Sequence, residues 1–102
     1  MSRRRRPTHP GAILREDILP ELKITQIQLA EALGVSRRSM NRVLNERRPV
    51  TTDMAHRLAR VFKTTPEFWL HLQQAVDLWE VAEAKQTEYE KLKVLPGIHK
   101  AA

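Results

Sequence analysis

Apolar residues recur every three or four positions along most of this 102-residue chain, a spacing typical of helices with one buried face. No segment shows the sustained alternation of apolar and polar residues that indicates a half-buried strand. Proline, glycine and short polar runs divide the pattern into five apolar stretches. The sequence therefore predicts an all-α fold with five helices.

Local capping signals predict the ends of the first two helices. Pro10 can begin the first helix, which we expect to end near Pro20. Thr25 precedes the second helix and Gln28 stands three residues later, which is the spacing of a capping box. Gly34 follows this helix as a natural left-handed stop.

Polar residues with the same capping chemistry predict the starts of the other three helices. Ser36 is a favourable N-cap for a third helix, which we expect to end at Asn45. Thr51 or Thr52 caps the fourth helix. Thr65, which is followed by proline and glutamate, caps the fifth.

Apolar positions that share a helix face predict the core. On the first four helices these positions are Ile13, Leu14, Ile18, Ile27, Leu29, Ala30, Leu33, Met40, Val43, Leu44, Met54, Ala55, Leu58, Ala59, Val61 and Phe62. On the fifth helix the stripe predicted to face the core comprises Phe68, Leu72, Ala75 and Val76.

The fifth helix carries more apolar surface than this stripe needs. The surplus residues are Trp69, Leu70, Leu78 and Trp79. Because an exposed apolar patch usually marks association, these four residues predict the interface of a two-fold homodimer. The alternative is a larger monomer core with partly exposed tryptophans.

The chain is expected to form one folded domain over residues 9–84, with the fifth helix ending near Ala84. Residues 1–8 are predicted to be a disordered basic arm, and residues 85–102 a polar, loosely held tail. The arginine run Arg3–Arg6 has two interpretations, a solvated tail or an arm that follows the minor groove or the phosphates of DNA.

The charge of the chain is unevenly distributed. Its net charge is +6, but residues 1–63 carry 14 Lys and Arg against 6 Asp and Glu, whereas residues 64–102 carry 4 against 6. Five arginines fall within twelve positions: Arg37, Arg38, Arg42, Arg47 and Arg48. This asymmetry predicts a polyanionic partner for the first part of the chain.

Several functional classes are excluded or disfavoured by composition. The chain has no cysteine, which excludes disulfides, thiolate zinc sites and a cysteine nucleophile. The four histidines are scattered, so no metal or other cofactor is predicted. No activated nucleophile or acid–base pair is recognisable, so we expect no enzymatic activity. No apolar run approaches a membrane span and the basic start lacks the apolar core of a secretory signal, so a cytoplasmic protein is expected.

Residues 26–45 have the pattern of two helices that cross closely around a short turn. Ala30 leaves room for the crossing helix, Gly34 supplies the positive φ of the turn, and Val35 fills the corner. Met40 and Val43 face back onto the preceding helix. The third helix is then expected to project Arg37, Arg38, Ser39, Asn41 and Arg42 outward.

This pattern resembles the helix-turn-helix of the phage-repressor-like (XRE) DNA-binding family. Over residues 9–80 the chain is also similar to HigA-type antitoxins, and its most distinctive part is the string TPEFWLHLQQAVDLW. The resemblance implies a dimeric repressor that binds double-stranded operator DNA and neutralises a RelE-like ribonuclease toxin of the HigB type, encoded beside it. The resemblance also implies a further use for the N-terminal arm, which is contact with the toxin.

The predicted roles follow from the position of each residue in the motif. Arg37, Arg38 and Arg42 are the candidates for base edges in the major groove, because the start of a recognition helix enters the groove first. Ser39 and Asn41 can add hydrogen bonds to phosphates or bases. Gln26 resembles the family position that holds a backbone phosphate, while Arg47 and Arg48 suit the phosphate backbone.

Two other functions stay open at this point. One is a stand-alone DNA-binding regulator without a toxin, whose fifth helix serves only dimerisation. The other is a basic RNA-binding or toxin-inhibiting scaffold that has lost DNA binding, although the arginines argue against that loss. A neighbouring gene for a small basic ribonuclease would separate the antitoxin from the stand-alone regulator.

Overall fold

The computed structural model describes residues 5–98, which contain five helices and no strand. Helix α1 consists of Pro10–Ile13, a π-helical stretch Leu14–Ile18 and Leu19–Leu22. The other helices are α2 (Gln26–Leu33), α3 (Arg37–Leu44), α4 (Thr52–Phe62) and α5 (Pro66–Glu90). The predicted all-α fold with five helices is confirmed. Residues 1–4 of the predicted arm and residues 99–102 of the predicted tail lie outside the described residues.

The predicted N-caps form as expected. The Thr25 side chain accepts a hydrogen bond from the backbone N–H of Gln28, and the Gln28 side chain accepts one from the backbone N–H of Thr25, so the capping box is complete. Ser36, Thr51 and Thr65 cap α3, α4 and α5 in the same manner. Each cap satisfies a backbone N–H that the helix itself leaves unpaired.

Two helix ends lie farther along the chain than predicted. Helix α1 continues through Pro20 to Leu22, because the π-helical stretch before Pro20 gives one turn a longer hydrogen-bond spacing, which accommodates a residue without an N–H. Helix α5 continues past Ala84 to Glu90, with non-helical backbone angles only at Lys85. Residues 82–90 are mostly Ala, Glu, Lys and Gln, whose high helix propensity sustains the helix without a buried face.

One core cluster joins all five helices. Its buried members are Leu14, Leu29, Ala30, Leu33, Met40, Val43, Leu44, Val50, Met54, Ala55, Leu58 and Trp69. Most of the predicted core positions on the first four helices are buried or half-buried, but Ile27 and Val61 are exposed. The second and third helices are thereby packed as a unit against α4.

The orientation of α5 corrects the predicted core stripe. Trp69 is only 1% exposed, whereas Phe68, predicted for the core, is 47% exposed. Two adjacent apolar residues allow either orientation, and Trp69 is buried because its Nε1–H donates to Thr64 Oγ1 at 2.8 Å. Trp69 therefore belongs to the monomer core and presents no surface for the predicted dimer interface.

The other residues predicted for the dimer interface lie nearer the surface. Leu70 is half-buried and packs against the core, Trp79 is half-buried, and Leu78 is 66% exposed. Beyond Val76, α5 has no buried residue within its described length. The described chain measures 55 × 23 × 22 Å, and α5 accounts for most of the long dimension.

Within residues 5–98, no helix combines the length and apolar character that crossing a membrane requires. The same residues hold no cluster of three or more potential metal ligands.

Candidate nucleic-acid interface

Helix α3 divides into a buried face and a cationic face. Met40, Val43 and Leu44 are buried, so the positions between them must point away from the core. Arg37, Arg38, Asn41 and Arg42 are all exposed, as the sequence predicted. Ser39 is half-buried, at the edge between the two faces.

The first turn of α3 places two cations where the helix dipole opposes them. Arg37 and Arg38 occupy its first two positions, and this turn contains no acidic residue. A cation near a helix N-terminus loses roughly 0.3–1 kcal/mol in comparison with a favourable charge there. The two arginines therefore destabilise the isolated helix slightly. A polyanion bound at this end would offset that cost.

Most of the described arginines fall into two groups according to their carboxylate partners. Arg5 and Arg60 belong to neither group, since they are not on α3 and have no ion pair among the described residues. Away from the exposed face of α3, Arg6, Arg15 and Arg57 each form an ion pair with a carboxylate. On and beside that face, the described residues provide no carboxylate within ion-pair distance for Arg37, Arg38, Arg42, Arg47 and Arg48. The positive charge of α3 is thus not neutralised within the described chain.

The exit loop after α3 extends the cationic surface. Arg47 is exposed, and Arg48 Nη1 donates to Ser39 Oγ at 3.1 Å, which holds the loop arginine beside the helix. Ser39 is therefore already engaged with Arg48. Its hydroxyl hydrogen remains able to donate to an acceptor outside the chain.

Gln26 lies at the first position of α2, half-buried and directly after the Thr25 cap. The N-terminus of α2 thus presents a side-chain amide together with the positive end of the helix dipole. An oxyanion such as a phosphate would be favoured there.

Arg57 fixes the turn between α2 and α3. Its Nη1 donates to the carbonyl oxygens of Leu33 at 2.9 Å and of Gly34 at 3.2 Å. Its Nε donates to Asp53 one turn earlier in α4, at 2.8 Å. Gly34 itself has φ of +70°, the left-handed conformation that the sequence predicted for the turn. Arg57 therefore ties the angle between the two helices to α4.

The C-terminal end of α3 is held from the opposite side by α1. Gly11 lies so close that a Cβ there would stand 2.0 Å from the Val43 carbonyl oxygen. Arg15 donates to the Leu44 carbonyl oxygen and, at 3.3 Å, to Glu46. Helix α1 therefore satisfies a terminal carbonyl that α3 leaves without a partner.

Ion pairs through Glu46 connect this end of α3 with α1, with the N-terminal segment and, through Arg6, with α5. Besides the hydrogen bond from Arg15, Glu46 accepts one from Arg6 at 3.0 Å, and Arg6 also pairs with Glu80 of α5 at 2.8 Å. Burial raises the pKa of Glu46, but the hydrogen bonds from Arg6 and Arg15 outweigh burial and hold that pKa below its usual value of 4.5. Arg6 is thus anchored, although the sequence predicted disorder through residue 8.

His9 caps α1 next to this cluster. Its Nδ1 accepts a hydrogen bond from the Gly11 backbone N–H at 2.9 Å, and the residue is 3% exposed. Burial lowers the pKa of His9, because an imidazolium would be poorly solvated there. The cap also requires an unprotonated Nδ1, so a neutral ring suits both its position and its hydrogen bond.

Gln73 positions the exit loop from α5. Its Oε1 accepts from the Val50 backbone N–H at 2.9 Å, and its Nε2 donates to Asp77 at 3.0 Å. The Val50 backbone is 23 residues from Gln73, and the backbone partners of Arg57 and Arg15 are 23 to 29 residues away, so no local pattern could have revealed these contacts. One feature of the sequence could have indicated the close approach of α1 to α3, namely the glycine in the first turn of α1.

Comparisons with known proteins agree with this geometry. A family model described as helix-turn-helix matches residues 14–69. The uncharacterized HTH-type transcriptional regulator YbaQ of Escherichia coli (strain K12) is 50% identical over 86 residues, which are 84% of this chain and 76% of YbaQ. The antitoxin GraA, whose structure is also known in complex with its operator, has a TM-score of 0.85 at 43% identity, over 90% of this chain and 100% of GraA.

A third relative is the Pseudomonas aeruginosa antitoxin HigA, solved with the higBA promoter. It has a TM-score of 0.82 at 39% identity and covers 91% of this chain and 100% of that structure. The family model spans more than half of the chain, and these relatives span most of it. The chain therefore belongs to the helix-turn-helix family of the phage-repressor (XRE) type, and its relatives include the HigA and GraA antitoxins.

Proposed function

We propose that this protein is a transcriptional autorepressor and the antitoxin of a two-gene module. It binds operator DNA through α3 as a homodimer, and it neutralises a RelE-like ribonuclease toxin of the HigB type in the cytoplasm. Membership of a DNA-binding helix-turn-helix family agrees with the prediction that the chain is not an enzyme.

The observation that carries DNA binding is the set of arginines on α3 and its exit loop that no carboxylate of the described chain neutralises. Arg37, Arg38 and Arg42 lie on the exposed face of a helix whose two ends are fixed by α1 and α4. A rigidly held cationic helix suits the major groove. Relatives of nearly the same length have been solved with operator or promoter DNA, which supports the same use of this surface here.

Salt dependence tests DNA binding directly. If the two protomers together neutralise about six phosphates, log K for the operator should fall with log salt concentration at a slope near −5. Fluorescence anisotropy with the DNA upstream of the gene, titrated between 50 and 300 mM salt, provides the measurement. Specific binding that does not respond to salt would contradict the assignment of these arginines to DNA.

Neutralisation of a toxin is supported by the similarity to GraA and HigA. Both are named antitoxins, and the similarity extends over the whole of their chains. The test is to co-express this protein with the small basic protein encoded by the adjacent gene. Rescue of growth, and co-purification of the two proteins, is the expected result. Rescue that persists in a variant unable to bind DNA would show that neutralisation is independent of repression.

A stand-alone regulator remains the second candidate, because YbaQ, at 50% identity, is named only as a transcriptional regulator. The absence of a ribonuclease gene beside this one, together with repression of unlinked promoters, would favour that function.

A further inference from the structure

A groove of about 460 Å³ lies between α1 and the junction of α4 with α5. Its base is aromatic and preformed: Phe68 meets Trp69 edge to face with ring centroids 5.1 Å apart, and Phe62 lies 6.2 Å from Trp69. Trp69 donates its N–H to Thr64, so the polar end of the indole is satisfied and the groove offers mainly apolar contacts. Leu22 lines the rim and is 51% exposed.

The rim of this groove is acidic. Asp17 and Glu21 line it one helical turn apart on α1, and none of the lining residues is cationic. Both carboxylates are exposed, and neither has an ion-pair partner among the described residues. Two like charges four residues apart destabilise a helix slightly. A cationic segment bound at this rim would relieve their repulsion. A nucleic acid would be repelled there.

The C-terminal segment 91–98 has the complementary composition. Leu92, Val94, Leu95 and Ile98 are all at least 61% exposed, an unusual density of unpacked apolar side chains for so short a stretch. Lys91 and Lys93 alternate with the first of them. This segment therefore combines apolar side chains with positive charge, which are the two features that the groove would select.

The segment cannot reach the groove of its own chain. Helix α5 separates Phe68 from Glu90 by 22 residues, or about 33 Å measured along the helix, of which about 24 Å precede the kink at Lys85. Extended chain from Glu90 to Leu95 spans at most about 17 Å, and to Ile98 about 28 Å. The groove and the segment that matches it are therefore held apart within one protomer.

A second copy brings them together. If two α5 helices pair antiparallel about a two-fold axis near the exposed Leu78, residues equally distant from Leu78 lie opposite one another. Ala84 of one protomer then lies opposite Leu72 of the other, and the turns beyond Lys85 lead toward Phe68 and the groove. We infer that residues 91–98 of each protomer occupy the groove between α1 and α5 of the second protomer. This inference rests on the proposed homodimer through α5.

Disulfide trapping tests this exchange, because the natural chain has no cysteine. In the full chain, the double variant L22C/L95C should form covalent dimers on mild oxidation. The matched control A32C/L95C, with a cysteine at an exposed position of α2 away from the groove, should form at least about tenfold less. Crosslinking within one chain, or equal yields from the two variants, would overturn the exchange.

Charge reversal provides a second test with its own rescue. Sedimentation should show that D17K/E21K weakens dimerisation several-fold, and that K91E/K93E does the same. Combining the four changes should restore the wild-type dissociation constant, because the opposite charges would again face each other. A wild-type chain that sediments as a monomer would remove the proposed dimer and this inference together. A dimer whose affinity none of these variants changes would leave the homodimer intact and place another partner in the groove.

Discussion

The arginines of α3 and of its exit loop offer a contrast at the scale of single residues. Arg38 is exposed on the second position of the helix, whereas Arg48 lies in the loop and is held by Ser39. We expect Arg38→Ala to cost roughly 1–3 kcal/mol of operator binding and to relax sequence preference at one position per half-site. Arg48→Ala should weaken operator and random duplexes about equally. Binding titrations on both kinds of duplex provide the check, and identical behaviour of the two variants would refute the division between base and phosphate contacts.

Arg57 makes a different kind of contribution, because its partners are the backbone carbonyls of the turn between α2 and α3 and the Asp53 carboxylate. Arg57→Ala removes its hydrogen bonds to the Leu33 and Gly34 carbonyls, so we expect a loss of about 1 kcal/mol of folding stability, discounted for its partial exposure. Operator affinity should fall too, because the angle between α2 and α3 loses its fixed support. Arg60→Ala, an exposed arginine one turn along α4, is the matched control and should change neither thermal stability nor binding.

These residues also show which contacts local sequence can predict and which it cannot. Thr25, Ser36 and Gly34 act through neighbours three or four positions away, so their capping roles were predictable from the chain alone. Arg57 acts on residues 23 and 24 positions away, and nothing near it in sequence indicates those partners. The exposed arginines were predictable because the apolar positions of α3 determine which face points outward.

At the scale of helices, α1 and α3 meet at a contact that only glycine permits. Gly11→Ala would place a methyl group 2.0 Å from the Val43 carbonyl oxygen, so backbone must move and α3 must shift. We expect a loss of roughly 1–3 kcal/mol in stability, together with weaker operator binding. Chemical denaturation gives the stability and anisotropy the affinity.

Gly97→Ala is the control for the folding stability of this variant, since no atom of the described chain lies within 4 Å of the added methyl. Operator binding is not compared for this control, because Gly97 belongs to the segment 91–98 that we infer to contact the second protomer. The Gly97→Ala protein should show only the cost of a left-handed alanine in an exposed turn, roughly 1–2 kcal/mol, without the steric conflict at Val43. A Gly11→Ala protein as stable as wild type would show that α1 and α3 can separate without loss.

The α5 helix illustrates why element prediction failed in part. Phe68 and Trp69 are adjacent, so periodicity alone permits two orientations that differ by about 100°. The choice depends on Thr64, whose hydroxyl accepts the indole N–H of the buried Trp69. The end of the helix differs for another reason: the polar composition after Ala84 predicts a loose tail, but residues 82–90 are mostly strong helix formers, so the helix continues to Glu90.

The charged cluster between α1, α3 and α5 makes stability depend on pH. His9 has a lowered pKa when folded, so its contribution is fully present above its unfolded pKa of about 6.5 and decreases as the pH falls below that value. The lowered pKa of Glu46 gives a contribution that is present above 4.5 and is lost as the pH falls through its folded pKa. Denaturant unfolding between pH 8 and 3 should therefore show two successive losses of stability.

His9→Asn separates the two losses. Asparagine is a favourable N-cap and can accept the Gly11 hydrogen bond, but it does not titrate. This variant should lose the decrease just below pH 6.5 while it keeps the loss at lower pH. An unchanged pH profile in His9→Asn would assign the first loss to another group.

At the scale of the whole molecule, the homodimer that we propose would determine which DNA can be bound. Two recognition helices on one face of DNA lie about 34–36 Å apart, so the operator should be an inverted repeat with half-site centres roughly 10 base pairs apart, or a multiple of this distance. One α3 cannot impose that spacing, and a dimer interface must. With Trp69 buried in the monomer, the exposed apolar surface of α5 is centred on Leu78, with Val81 on the next turn.

Leu78→Asp should accordingly weaken the dimer by at least about tenfold, because it places a charge in the centre of an apolar contact. The monomer fold should be little affected, since Leu78 contributes nothing to the core. Val61→Asp is the matched control: it makes the same kind of change at an exposed position near the end of α4. Sedimentation at micromolar concentration gives the dissociation constants of the dimers. In operator titrations at low protein concentration, the Leu78 variant should lose affinity steeply, because a half-site alone offers few contacts. If Val61→Asp breaks the dimer and Leu78→Asp leaves it intact, the interface lies at the end of α4, and the spacing of the two α3 helices is determined there.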